Sequence, residues 1–220
     1  MNKRRVAVYI DGFNLFHSAL QKNFSTTPIA KQRWPELRWL DLRKLSLNFI
    51  NPKTENLLNV YYFSAPIAWK PAKANKHKEY MNALRTVGVE IILGQFKEKD
   101  RTCPNCKKPY KAHEEKETDI NIAISILSDA IQDKFDTALI LSGDSDLAPV
   151  ITKLKKLFPT KKVGIILPPY QYGAELVDKA DYAKKIHKSN LRRSLLPSSI
   201  KYLGIVINAP NGWLPSNIDP

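Results

Sequence analysis

The chain has 220 residues, of which 43% are hydrophobic, enough to fill the core of one α/β domain with elaborations. Lysine and arginine number 35 against 21 acids, and the isoelectric point is near 9.7, so a polyanionic partner is expected, nucleic acid or an anionic membrane. No apolar run reaches the ~18–20 residues of a membrane span, and two cysteines are too few for a disulfide scaffold.

Taken in chain order, the basic start Met1-Asn2-Lys3-Arg4-Arg5 leads directly into a strand-like run at 6–10, unlike a signal peptide, and a cytoplasmic setting is expected. That strand, Val6-Ala7-Val8-Tyr9-Ile10, ends in Asp11-Gly12-Phe13-Asn14 and a helix-like run at 12–23. An insertion from Ser25 to Leu37 carries Trp34-Pro35. A helix at 41–50, a strand at 57–64 and a helix at 72–86 follow, the last opening in the basic run Lys70 to Lys78. A strand at 88–96 precedes a cysteine-bearing loop at 97–115. The helix at 118–132 is headed by Lys116-Glu117-Thr118-Asp119-Ile120-Asn121. The strand 137–141 delivers Ser142-Gly143-Asp144-Ser145-Asp146-Leu147 into a helix at 145–157; a strand at 162–167 and a helix at 172–180 complete the rhythm. Alternating strands and helices predict an α/β fold with a mostly parallel sheet covered on both faces. The domain is expected to span 1–190, and the proline-bearing tail, 191–220, to wrap over it with Trp213 as an anchor.

Three acidic stations stand at element junctions. Asp11 ends one strand, Asp144 and Asp146 follow another, and Asp119 opens a helix. Taken alone, Asp144 also suits a helix N-cap. If the strands 6–10 and 137–141 are neighbours at the sheet's switch point, Asp11, Asp144 and Asp146 converge in one crevice. Carboxylates held close repel unless a cation sits between them. Asp129, ten residues after Asp119, shares its helix face about 15 Å away and reads as structural. His17, one turn after Asn14, reads as a packed or surface histidine.

Cys103-Pro104-Asn105-Cys106 looks like half of a zinc-knuckle turn, but a structural zinc wants four ligands. His113 lies seven residues on, His77 is distant, and a second chain could supply the rest. A metal-free hairpin turn and a redox pair are the other readings. Lys107, Lys108 and Tyr110 beside the turn, with Lys73 and Lys76, are the expected RNA-binding residues, the tyrosine by stacking on a base. The cysteine tip could also sit in a homo-oligomeric interface.

At Val8-Tyr9-Ile10-Asp11-Gly12-Phe13-Asn14-Leu15, Glu115-Lys116-Glu117-Thr118-Asp119-Ile120 and Leu141-Ser142-Gly143-Asp144-Ser145-Asp146-Leu147 the chain resembles the NYN-domain family of PIN-like nucleases, in particular its LabA-like branch. The resemblance implies a three-layer α/β/α PIN-like fold and an RNA-cleaving site that binds Mg²⁺ or Mn²⁺. By position, Asp11, Asp119, Asp144 and Asp146 would be the metal ligands, Asn14 would orient water or phosphate, and Ser142 and Ser145 would be supporting hydroxyls. Many members carry a further acid where Ser125 stands, which bears on the number of metal ions. Three other functions compete with the ribonuclease. One is a nucleic-acid-binding module with a weak site. A haloacid dehalogenase-type phosphatase would want an acid at Phe13, and a Toprim-like enzyme a glutamate where Asp11 stands.

Overall fold

A computed structural model describes residues 2–20 and 38–214. The strand β1 (Arg4–Asp11) is buried from Val6 onward on both faces, as a strand covered by helices on either side must be. It pairs in parallel with β2 (Glu55–Ser64) on one side and with β6 (Thr137–Leu141) on the other. β3 (Glu90–Leu93), β7 (Lys162–Leu167) and β8 (Tyr182–Lys185) complete a six-stranded parallel sheet of order β3-β2-β1-β6-β7-β8. The chain reverses its direction of winding at the β1–β6 boundary, so the crevice of the fold opens where those two strands end.

Alternation along β1 sorts the core into two layers. Val6, Val8 and Ile10 face Leu15 of α1 (Gly12–Leu20), Leu42 and Leu45 of α2 (Leu42–Leu47), and Met81 and Leu84 of α3 (Pro71–Thr86). Ala7 and Tyr9 face Ile122 and Ile126 of α4 (Thr118–Ile131), Ile151 of α5 (Ala148–Leu157) and Leu176 of α6 (Ala174–Lys179). The result is the expected α/β/α sandwich. Tyr9 stacks on Tyr61 with centroids 5.2 Å apart and meets Phe135 edge-on at 6.2 Å, each pair adding about 1 kcal/mol beyond area burial.

The elements depart from the sequence reading in four places. The strand expected at 88–96 breaks at Gly94, where a Cβ would stand 2.6 Å from the Lys116 carbonyl oxygen, so the backbone bends there and leaves the sheet. The segment read as a loop at 97–115 is an antiparallel ribbon, β4 (Gln95–Thr102) against β5 (Pro109–Lys116). The helix at 145–157 starts as a 3₁₀ turn, Ser145–Leu147, because the Asp144 side chain caps it before Pro149 restarts the helix as α5. Beyond α6 the chain is ordered rather than simply extended. It forms β8, the helix α7 (Lys188–Arg193) and a hairpin of β9 (Ser199–Tyr202) and β10 (Ile205–Asn208). Trp213 packs against Trp39 and Tyr80, with centroids 6.3 and 6.0 Å away. The insertion at 25–37, the end of the helix expected at 12–23, and Pro215 lie outside the described residues.

Candidate functional site

β1 and β6 are neighbours, and each delivers an aspartate at its carboxyl end. Asp11 is the last residue of β1, only 4% exposed. One of its oxygens accepts from the Asn14 backbone N–H at 2.9 Å and the other from the Ser142 hydroxyl at 2.9 Å. Ser142, fully buried just past β6, accepts in turn from the Asp144 N–H at 3.1 Å. The Asn14 side-chain oxygen takes the Gly143 N–H at 3.0 Å. These bonds tie the start of α1 to the loop after β6, so Asp11 and Asp144 are fixed with respect to each other.

Gly12 is required by a close approach of the backbone to β2. A Cβ there would stand 2.5 Å from the Tyr62 ring and 2.6 Å from the Phe63 carbonyl oxygen, so only glycine lets α1 begin against β2.

Asp119 arrives from the opposite direction, in the first turn of α4. The ribbon returns its chain to that turn through Glu117, whose φ of 78° is left-handed. Gln95 donates to the Glu117 carboxylate, and the Glu115 carboxylate accepts from the Thr118 N–H and hydroxyl. Asp11, Asp119 and Asp144 each present an oxygen within 4.8 Å of the others. Among the described residues no lysine or arginine pairs with any of the three carboxylates. Burial first, then repulsion from Asp11 and Asp144, raises the Asp119 carboxyl to about 6. Burial likewise lifts Asp11 to about 6, against the opposing pull of the Asn14 and Ser142 bonds. Such a trio holds excess negative charge without a counterion among the described residues, which is what a hard divalent cation neutralises.

The other expected residues fall in several places. Asp146 stands outside the trio, exposed, its N–H donating to the Asp144 carboxylate at 3.1 Å, yet its charge is felt at Asp119. Asp144 therefore both caps the 3₁₀ turn and faces the trio. Ser145 is exposed. Asp129 is buried away from the site, taking the Tyr9 hydroxyl at 2.9 Å and the Lys134 ammonium at 2.9 Å, as its structural reading expected. Ser125 is half-buried in α4. The exposed His17 stacks on Phe13.

A zinc site at the cysteine turn finds no support. His113 stacks on Trp69 with centroids 3.7 Å apart, down the ribbon from the tip, and His77 sits beside the Ser64 hydroxyl at 3.4 Å. The Asp11, Asp119 and Asp144 trio is the one group among the described residues that gathers three metal-ligating side chains. The ribbon is also less basic in effect than its lysines suggest. Arg101 and Lys99 pair with Glu114, and Lys111 with Glu98. Lys107, Lys108 and the half-exposed Tyr110 remain at its outer end, whereas Lys76 donates to the Asn211 carbonyl at 2.8 Å and Lys73 is exposed on α3.

Glu115 was not singled out in the sequence, though its charge raises both Asp11 and Asp119. Its signal was the stretch Glu114-Glu115-Lys116-Glu117 running up to Asp119, which marks the end of a ribbon that folds back on the site.

The family model described as the NYN domain matches residues 5–187. A curated relative, 6-hydroxy-3-succinoylpyridine 3-monooxygenase HspA from Pseudomonas putida, is 26% identical over 199 residues, which cover 74% of this chain and 59% of the relative. The chain thus spans about three-fifths of that relative's length. A solved structure of a protein of unknown function from Vibrio parahaemolyticus shares the fold, with a TM-score of 0.56 at 19% identity, covering 88% of this chain and 97% of that one.

Proposed function

The chain belongs to the NYN domain family, which is nuclease-like, and from that premise we propose that it is a metal-dependent ribonuclease that hydrolyses RNA phosphodiester bonds. The observation that carries the reading is the trio of Asp11, Asp119 and Asp144 oxygens within 4.8 Å of one another. It sits in a chain of net charge +14, at the sheet edge where α/β folds bind ligands.

The donor set is all carboxylate, with Asp11 buried and Asp119 and Asp144 half-buried, which suits Mg²⁺ or Mn²⁺. Asp11, Asp119 and Asp144 would hold the ion, with Asp146 and Glu115 adding charge from the rim. When bound, such an ion acidifies water and neutralises charge developing on a phosphate. The chain's own part is preorganisation. The Asn14 N–H and the Ser142 hydroxyl hold both oxygens of Asp11, and the Asn14–Gly143 bond holds the loop that carries Asp144. The body's lysines supply the attraction that brings an RNA backbone to this acidic crevice. The proposal makes RNA the partner and the cytoplasm the working compartment, in keeping with two free thiols.

The test is cleavage of mixed-structure RNA by the purified chain in Mn²⁺ or Mg²⁺ against EDTA, beside Asp144→Asn. Metal-dependent cutting that the variant loses supports the nuclease. Cutting by Asp144→Asn at the wild-type rate would refute this site. A second reading, a nucleic-acid-binding module, is favoured by Ser125 standing where many relatives carry an acid. Binding without cleavage in either metal would select it.

A further inference from the structure

We propose that Tyr170 and Tyr172, on the turn after β7, form a stacking platform for unpaired nucleobases beside the aspartate trio. The role of the platform in positioning substrate rests on the ribonuclease reading. Its capacity to bind does not.

Tyrosine is a large side chain that folding ordinarily keeps at least partly covered. Here two of them, separated by one residue, are 58% and 78% exposed. The turn that presents them is built with some strain. Pro168-Pro169 leads into it, and the Gln171 N–H closes it on the Pro168 carbonyl at 3.2 Å. Tyr170 takes a φ of 64°, a left-handed conformation that residues other than glycine rarely adopt. Strain of this kind gathers at ligand-handling sites.

The segment is also anchored to the site. Gln171, between the two tyrosines, packs so closely on Gly143 that a Cβ at Gly143 would stand 2.8 Å from it. Gly173 follows at φ 45°, with its own absent Cβ 3.4 Å from the Gly143 Cα. Gly143 immediately precedes Asp144. Gln171 thus packs on the loop that carries Asp144, while Tyr170 and Tyr172 on either side of it are largely exposed.

Charge completes the match. The ammonium of Lys185, at the carboxyl end of β8, lies 5.1 Å from the Tyr172 ring centroid. The parallel register Leu167↔Lys185 and Leu141↔Ile166 sets the aspartate loop, the tyrosine turn and Lys185 in a row along one sheet edge. Adjacent strands lie about 4.8 Å apart, so the row spans about 10 Å from β6 to β8. An aromatic face beside an ammonium, next to a candidate cleavage site, fits a base with its phosphate. A duplex keeps its base faces stacked on one another, so the platform favours unpaired strands.

The experiment is fluorescence anisotropy of the full chain with a labelled single-stranded RNA of about 12 nucleotides, in EDTA so that cleavage does not intervene. The double variant Tyr170→Ala/Tyr172→Ala should bind about 10- to 100-fold more weakly, given the usual loss on truncating a stacked aromatic. Tyr170→Phe/Tyr172→Phe should stay within about 2-fold, since stacking needs the ring and not the hydroxyl. Wild-type affinity in the alanine pair, an equal loss in the phenylalanine pair, or no binding by the wild-type chain would each overturn the platform. Asp144→Asn separates the two proposals: cleavage that persists in it refutes the nuclease site, while the anisotropy series still decides the platform.

Discussion

Replacing Asp11 with asparagine should make the metal-free protein more stable while removing its metal response. In the folded chain burial holds this carboxyl at about 6 rather than 3.8, a penalty of about 3 kcal/mol on the ionised form. Between about pH 4 and pH 6 the folded state keeps a proton that the unfolded state has released, so stability falls as pH rises through that window and levels off above it. Asparagine carries no charge and still accepts from the Asn14 N–H, but its amide must re-form the bond to Ser142, at a cost of about 1 kcal/mol. The net gain of about 2 kcal/mol at pH 7.5 corresponds to about 4–8 °C in Tm for a chain of this size. Thermal unfolding by circular dichroism in EDTA at pH 7.5 and 4.5 measures it. The gain should be present at the higher pH and nearly absent at the lower. Mn²⁺ should raise the wild-type Tm and leave Asp11→Asn unmoved. A variant less stable than wild type at pH 7.5, or an equal gain at both pH values, would refute the reasoning.

Gly12→Ala should destabilise by about 1–3 kcal/mol in urea titration, because its methyl would meet the Tyr62 ring and the Phe63 carbonyl. Asn14→Ala frees the Gly143 N–H and should cost about 1–2 kcal/mol in the same titration, with a fall in RNA cleavage at saturating Mn²⁺. Trp213→Ala removes a ring packed on Trp39 and Tyr80 and should lower stability by about 2 kcal/mol, with cleavage per folded molecule unchanged. Cys103→Ser/Cys106→Ser should leave both Tm and the Mn²⁺ dependence of cleavage at wild-type values, since the turn gathers no third ligand among the described residues; a drop of several degrees in Tm would reinstate a metal there.

The parts of the fold visible in the sequence are those where pattern and burial agree. β1, β6 and β7 are apolar runs buried on both faces; β1 ends in Asp11, and Ser142 and Pro168 follow β6 and β7. The junction acids were legible for the same reason, since a strand that stops in a carboxylate places it at a sheet edge. β8 was hidden because Tyr-Ala-Lys-Lys has no apolar alternation. As an edge strand it is held by backbone pairing to β7, and its lysines discourage further pairing. The ribbon was hidden because Gln95–Thr102 is almost wholly exposed, so no hydrophobic period marks it; backbone pairing with β5 holds it, with cross-strand ion pairs beside it. Whether the fourth aspartate joins the trio depended on the turn after β6. The cap that Asp144 gives the Asp146 N–H tightens that turn into a 3₁₀ helix, with Asp146 left exposed. A helical count along the sequence does not reveal that geometry.

The ribbon has a consequence for how such a protein can change. It leaves the sheet at Gly94 and returns at Thr118, and at its root Gln95 faces Lys116. Residues added or removed in matched pairs near Cys103 and Cys106 would alter its reach while leaving the root, and hence Asp119, where they are. The arm can thus be lengthened, shortened or exchanged for another hairpin without retuning the acidic crevice. Reach and chemistry are inherited separately, which makes the tip the place to graft a new recognition element.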